Sequence, residues 1–190
     1  MPVTTLDPKT ALVIIDLQQG IAAYAPKAAL EPVVRNSRVL ADAFRSAGLP
    51  VVLVNVDAGA PGRTEQPPRS GAFPPGFADL MPELGQQPSD IVVTKKTWGA
   101  FASTDLEKQL RTLGVTQIVL TGVATSAGVE STARQAFEAG FNVTLATDAM
   151  TDMNPAAHDA SIANIFPRIG ETGTSAEIVA LLGNGNPAHS

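Results

Sequence analysis

Three stretches of this chain place chemistry-bearing residues directly after apolar runs. Asp16 follows Ala11-Leu12-Val13-Ile14-Ile15, and Lys95-Lys96 follow Ile91-Val92-Val93-Thr94. Val123-Ala124-Thr125-Ser126-Ala127-Gly128 follows Gln117-Ile118-Val119-Leu120-Thr121-Gly122. A carboxylate at the end of five apolar residues is costly to desolvate unless it is paired. Asp16 therefore reads in one of two ways: a cap for the turn through Gln18-Gln19-Gly20, or a working carboxylate at the mouth of a central strand. An Asp–Lys pair in one crevice supplies an acid/base group held and tuned by an ammonium. The residues from Ala124 to Gly128 open a helix, so their unpaired N–H groups could stabilise a developing oxyanion.

Those groups meet only if their strands end at one edge of a sheet. Residues 11–15, 50–56, 91–94, 117–120 and 141–147 read as buried-type strands. Asp57 and Asp148 close the second and fifth of them, as Asp16 closes the first. Between the strands lie helical patterns. Leu30, Val33, Val34, Ser37, Leu40, Ala41, Phe44 and Ala47 share one face and Gly48 closes that helix. Val129, Ala133, Ala136 and Phe137 share another, closed by Gly140. Thr104 with Glu107, and Thr174 with Glu177, have capping-box spacing. A helix is expected near 155–164 and an extended piece around 168–172. Strand and helix alternate, which gives an α/β fold with a parallel sheet covered on both faces.

The chain of 190 residues reads as one domain, 1–190, with a frayed tail at 184–190. Residues 58–88 are rich in Gly and Pro, and a connection this long suits a lid or an oligomer contact. Phe73 and Phe77 either anchor it to the core, the favoured reading, or line a pocket, and Arg63 and Arg69 are solvated loop charges unless they reach a substrate carboxylate from a lid. A net charge of −5 argues against a nucleic-acid or anionic-membrane partner. There is no cysteine, which excludes disulfides, thiolate metal sites and a catalytic thiol. No signal peptide or membrane-spanning run is visible, so the expected location is the cytoplasm.

The three stretches together resemble the isochorismatase-like hydrolases, often called cysteine hydrolases. Ala11 to Gln18 is similar to the family's opening strand with its catalytic aspartate. Lys95-Lys96-Thr97-Trp98-Gly99-Ala100-Phe101 is similar to its lysine motif, in which the lysine stands six residues before a phenylalanine. That spacing selects Lys95 over Lys96. Gly122 to Thr132 is similar to the nucleophile segment. The resemblance implies a Rossmann-like three-layer α/β/α sandwich with a central, mostly parallel sheet. It implies a cis peptide between Val123 and Ala124 and oxyanion donors at the N–H groups of Ala124 and Gly128.

The departure from the family lies at Gly128, which stands where its amidohydrolases carry the nucleophilic cysteine. A thiolate mechanism is therefore impossible. The glycine-bearing isochorismatase branch uses an aspartate acid and water, which implies Asp16 as that acid. A Lys95 ammonium lowers the aspartate's pKa and burial raises it; an ionised Asp16 would instead be a base that activates water. Ser126, Thr125 or Ser131 as a replacement nucleophile would need a base, and the only histidines are His158 and His189. The plainer role for these hydroxyls is polar capping at a helix N-terminus. Ile21, Trp98, Thr125 and Ser126 are the expected substrate-binding residues. Asp57-Ala58-Gly59 lacks the histidine of the nicotinamidase metal site, so no metal and no cofactor are expected. The resemblance implies a small-molecule substrate and a homo-oligomer, dimer or tetramer. Two functions fit: a hydrolase acting through Asp16, Lys95 and the 124–128 turn, or a non-catalytic relative that binds a small ligand or assembles with a partner.

Overall fold

A computed structural model describes residues 2–65 and 72–184. Six parallel strands form one sheet: β1 (Thr10–Ile15), β2 (Val51–Val56), β3 (Ile91–Lys95), β4 (Gln117–Val123), β5 (Asn142–Thr151) and β6 (Glu171–Gly173). Their order across the sheet is β3-β2-β1-β4-β5-β6. The order reverses direction between β1 and β4, the kind of switch point outside whose carboxyl ends open α/β sheets bind their ligands.

Alternate residues of β1 serve opposite core layers, which explains its unbroken apolar run. Ala11, Val13 and Ile15 join the layer under α3 (Leu106–Thr112), α4 (Glu130–Glu138) and α6 (Phe166–Ile169). Leu12 and Ile14 join the layer under α2 (Lys27–Ser46) and α7 (Ser175–Asn184). The result is a Rossmann-like three-layer α/β/α sandwich. Two shorter helices, α1 (Gln19–Ala22) and α5 (Pro155–Ala160), flank the carboxyl edge. Among the described residues no helix is long and apolar enough to cross a membrane.

The buried face of α2 is the one that the sequence predicts, except that Ala47 lies past the last turn and is exposed. Gly48 follows with φ 68°, and Leu49 N donates back to Phe44 O at 2.9 Å, a left-handed helix stop. Phe137 is half exposed, because it stands at the rim of the α4 stripe formed by Ala133 and Ala136. The Thr174–Glu177 box forms in both directions. At Thr104 the hydroxyl instead accepts from Leu106 N and donates to Ala100 O, which turns it toward the lysine loop.

Three boundaries differ from expectation by more than one residue. β4 runs on through Val123, beyond Leu120. β5 runs on to Thr151, beyond Asp148, because its pairing with β4 shifts register between Leu120 and Gly122 and then resumes. Asp148 therefore does not end the strand; its carboxylate accepts from Ser175 N and Oγ and fixes the start of α7. Arg168 belongs to α6; extended chain begins at Gly170 and forms β6 at Glu171–Gly173. Arg69 lies outside the described residues, while Arg63 is exposed.

Candidate active site

Each candidate group is placed by the strand that precedes it. Asp16, one residue past β1, is 6% exposed and adopts φ 53°, a left-handed conformation that non-glycine residues rarely take. It is held there by bonds on either side: Asp16 N donates to Val54 O, and Gln18 N donates to Asp16 O. The buried Gln18 amide extends that hold. It donates to Val56 O and Phe77 O and accepts from Val56 N. Phe77 thereby anchors the long segment after β2; it is buried, and its ring stacks on half-buried Phe73 at 4.0 Å between centroids.

Lys95 closes β3, two strands away from β1. Strands lie about 4.8 Å apart, so only a long side chain spans the intervening β2. Lys95 does so: Nζ donates to Asp16 Oδ2 at 2.8 Å and to Thr97 O at 3.2 Å. Lys95 is 2% exposed, and neighbouring Lys96 is exposed. Burial raises the Asp16 pKa and Lys95 lowers it; burial wins, and the carboxyl is pushed up to about 6. The second carboxylate oxygen, Oδ1, is buried and accepts no hydrogen bond from a protein group among the described residues. An unpartnered buried acceptor is costly, which leaves Oδ1 open to a donor from water or substrate.

The turn after β4 closes the site. Gly122 has φ 119°, and a Cβ there would overlap the carbonyl of Ile15. Only glycine lets β4 approach the end of β1 so closely. The Val123–Ala124 peptide bond is cis. Thr125–Val129 then forms a wide helical turn, with Val129 N donating to Ala124 O at 3.1 Å. Such turns recur at functional sites. Gly128 faces the carboxylate: a Cβ there would stand 3.1 Å from Asp16 Oδ2 and 2.9 Å from Ile15 Cγ2. Gly128→Ala is therefore expected to cost about 1–3 kcal/mol through overpacking of the buried Ile15. Chemical denaturation would read this loss, and an unchanged midpoint would show that the turn has slack.

The structure thus brings Asp16, Lys95 and Gly128 together. Thr125 is fully buried, and its hydroxyl pairs with His158 Nδ1 at 2.8 Å. Ser126 donates to Asp152 Oδ2 from both N, at 2.8 Å, and Oγ, at 2.7 Å. Hydrogen bonds from Asn154 and Ser126 and the charge of His158 outweigh the opposing, larger effect of burial and lower the Asp152 pKa. Of the two histidines weighed as a base for these hydroxyls, His158 does reach Thr125, 33 residues away; Asp152, 26 residues from Ser126, carries no sequence signal. Ile21 is half-buried against the α2 layer, Trp98 is 68% exposed, and Asp57 is exposed.

Comparison with known proteins identifies the family. The isochorismatase domain model matches residues 10–177. An isochorismatase family protein of Bacillus subtilis is 45% identical over 179 residues, covering 90% of this chain and 93% of its own. A ureidoacrylate amidohydrolase of Stutzerimonas stutzeri is 31% identical over 188 residues, covering 83% and 76%. Among solved structures, an isochorismatase family protein of Burkholderia thailandensis superposes with a TM-score of 0.88 at 42% identity, covering 94% and 98%. The order of strands, the buried Asp–Lys pair and these matches lead to one conclusion: the chain belongs to the isochorismatase family and is a hydrolase.

Proposed function

We propose that this hydrolase cleaves a small-molecule ester or amide with water as the nucleophile and Asp16 as the group that moves the proton. The carrying observation is a buried carboxylate, paired with Lys95 through Oδ2, whose Oδ1 accepts from no protein group among the described residues. With its pKa near 6, Asp16 is mostly ionised at neutral pH yet close enough to that pH to accept and return a proton efficiently. Its carboxylate takes a proton from water as the water oxygen attacks the substrate carbonyl carbon. The N–H groups of Ala124 and Gly128 donate to the oxyanion that develops. When the bond to the leaving group breaks, Asp16 returns the proton to it. Lys95 keeps the carboxylate oriented and limits how far burial raises its pKa.

Thr125 and Ser126 contribute mainly through the backbone they anchor, because the Thr125 side chain is fully buried and Ser126 is tied to Asp152 through both N and Oγ. Ile21 and the exposed Trp98 line the approach for substrate. The segment 58–88 serves as a lid or as an oligomer contact for a cytoplasmic dimer or tetramer, and the chain forms a single domain. The test is a hydrolase panel of esters, carbamoyl amides, nicotinamide and isochorismate, run with the intact protein and with Asp16→Asn. Ester or amide turnover that disappears in the variant supports the proposal. Turnover of the vinyl ether alone would assign Asp16 as an acid, and turnover undiminished in the variant would remove Asp16 from the mechanism.

A further inference from the structure

Lys95 is held by a loop, and that loop is held by α4. Lys95 Nζ donates to Thr97 O at 3.2 Å, and Thr97 Oγ1 donates to Gly99 O at 2.9 Å. The next two amides end on the helix. Ala100 N donates to Thr132 Oγ1 at 3.1 Å, and Phe101 N donates to Gln135 Oε1 at 3.0 Å. Gly99 permits the approach, since a Cβ there would overlap the Gln135 amide. Thr132 is fully buried, and its hydroxyl also donates to Gly128 O at 2.7 Å. A threonine bonded to the carbonyl four residues back is common in helices. The second bond, from Ala100, is not required by the helix. One hydroxyl thus joins the loop that carries Lys95 to the turn that faces Asp16.

We propose that Thr132 and Gln135 are positioning residues, which set the contact between Lys95 and Asp16 by clamping residues 99–101 against α4. The two lie three residues apart, so they present one face of the helix to the loop. The inference rests on reading Asp16 and Lys95 as the working pair, but its consequence is electrostatic and does not require turnover. Among the described residues, Lys95 is the charged side chain that pairs with Asp16. Asp57 at the end of β2 is exposed, and Asp152 and His158 engage the hydroxyls of the turn. If the clamp loosens, Lys95 loses its second acceptor and its hold on Asp16 weakens. The carboxyl then rises further above about 6, because burial continues to act on it.

The experiment is a carbon-detected NMR titration of the Asp16 carboxyl, assigned by the signal lost in Asp16→Asn. It is run on the intact protein and on Thr132→Val, Thr132→Ser and Gln135→Ala. In Thr132→Val the midpoint is expected to move up by about one unit, with a smaller rise in Gln135→Ala and a return toward the original value in Thr132→Ser. A midpoint that stays put or falls in folded Thr132→Val overturns the proposal. Where Thr132→Val does not fold, Gln135→Ala decides by the same criterion. A protein silent across the hydrolase panel would bear on the proposed reaction alone, since the titration reads the clamp without any substrate.

Discussion

Asp16→Asn is expected to lower kcat/KM by about 10²- to 10⁴-fold, the usual worth of a positioned proton-transfer group. The amide can still accept from Lys95 Nζ, so the local geometry is conserved while the exchangeable proton is lost. This makes Asn a cleaner probe than Ala, which would leave a buried ammonium with Thr97 O as its remaining acceptor. Steady-state kinetics on a substrate found in the panel read the effect. A loss below about threefold, in a variant that melts cooperatively, would show that Asp16 is structural.

Lys95→Met carries the second large effect, on stability and on its pH dependence. Removing one partner of a buried ion pair costs about 3–5 kcal/mol where the other keeps its charge. Here Asp16 has an escape, because it can take up a proton. In the intact protein its pKa is already near 6, above about 3.9 in an unfolded chain. Without the Lys95 ammonium it rises further. A carboxyl with a raised folded-state pKa contributes stability that is full below the unfolded value and lost as pH climbs through the folded one. The gap between variant and intact protein should therefore be small at pH 5 and wide at pH 8, as read by urea denaturation. A gap that is constant across that range would mean that Lys95 does not tune Asp16.

Much of this arrangement is legible in the sequence because strands bury residues with a period of two. The family spacing to Phe101 selects Lys95 over Lys96, and β3 gives that choice a physical reason: Val93 and Lys95 are buried on one face, while Thr94 and the following Lys96 are exposed. Asp16 stands out because a polar residue ends a run buried on both faces. Gly128 stands out by family position, and the geometry gives it a physical meaning: a side chain there would press on Ile15 and Asp16. What could not be read is long-range pairing. The register shift that carries β5 to Thr151 depends on how β4 bends at Gly122. The partners of Thr125 and Ser126 come from beyond that shift. The bonds that Thr132 and Gln135 accept from the lysine loop span more than thirty residues and follow no local pattern.

The reading of Asp16 as a base tuned between burial and Lys95 is tested most directly by the pH dependence of kcat/KM for a substrate that the intact protein turns over. The account predicts activity that rises with a single ionisation near pH 6 and then reaches a plateau. A profile that is flat from pH 4.5 to 8, or that falls through pH 6, would contradict it: the first would detach turnover from Asp16, and the second would make the protonated acid the working form.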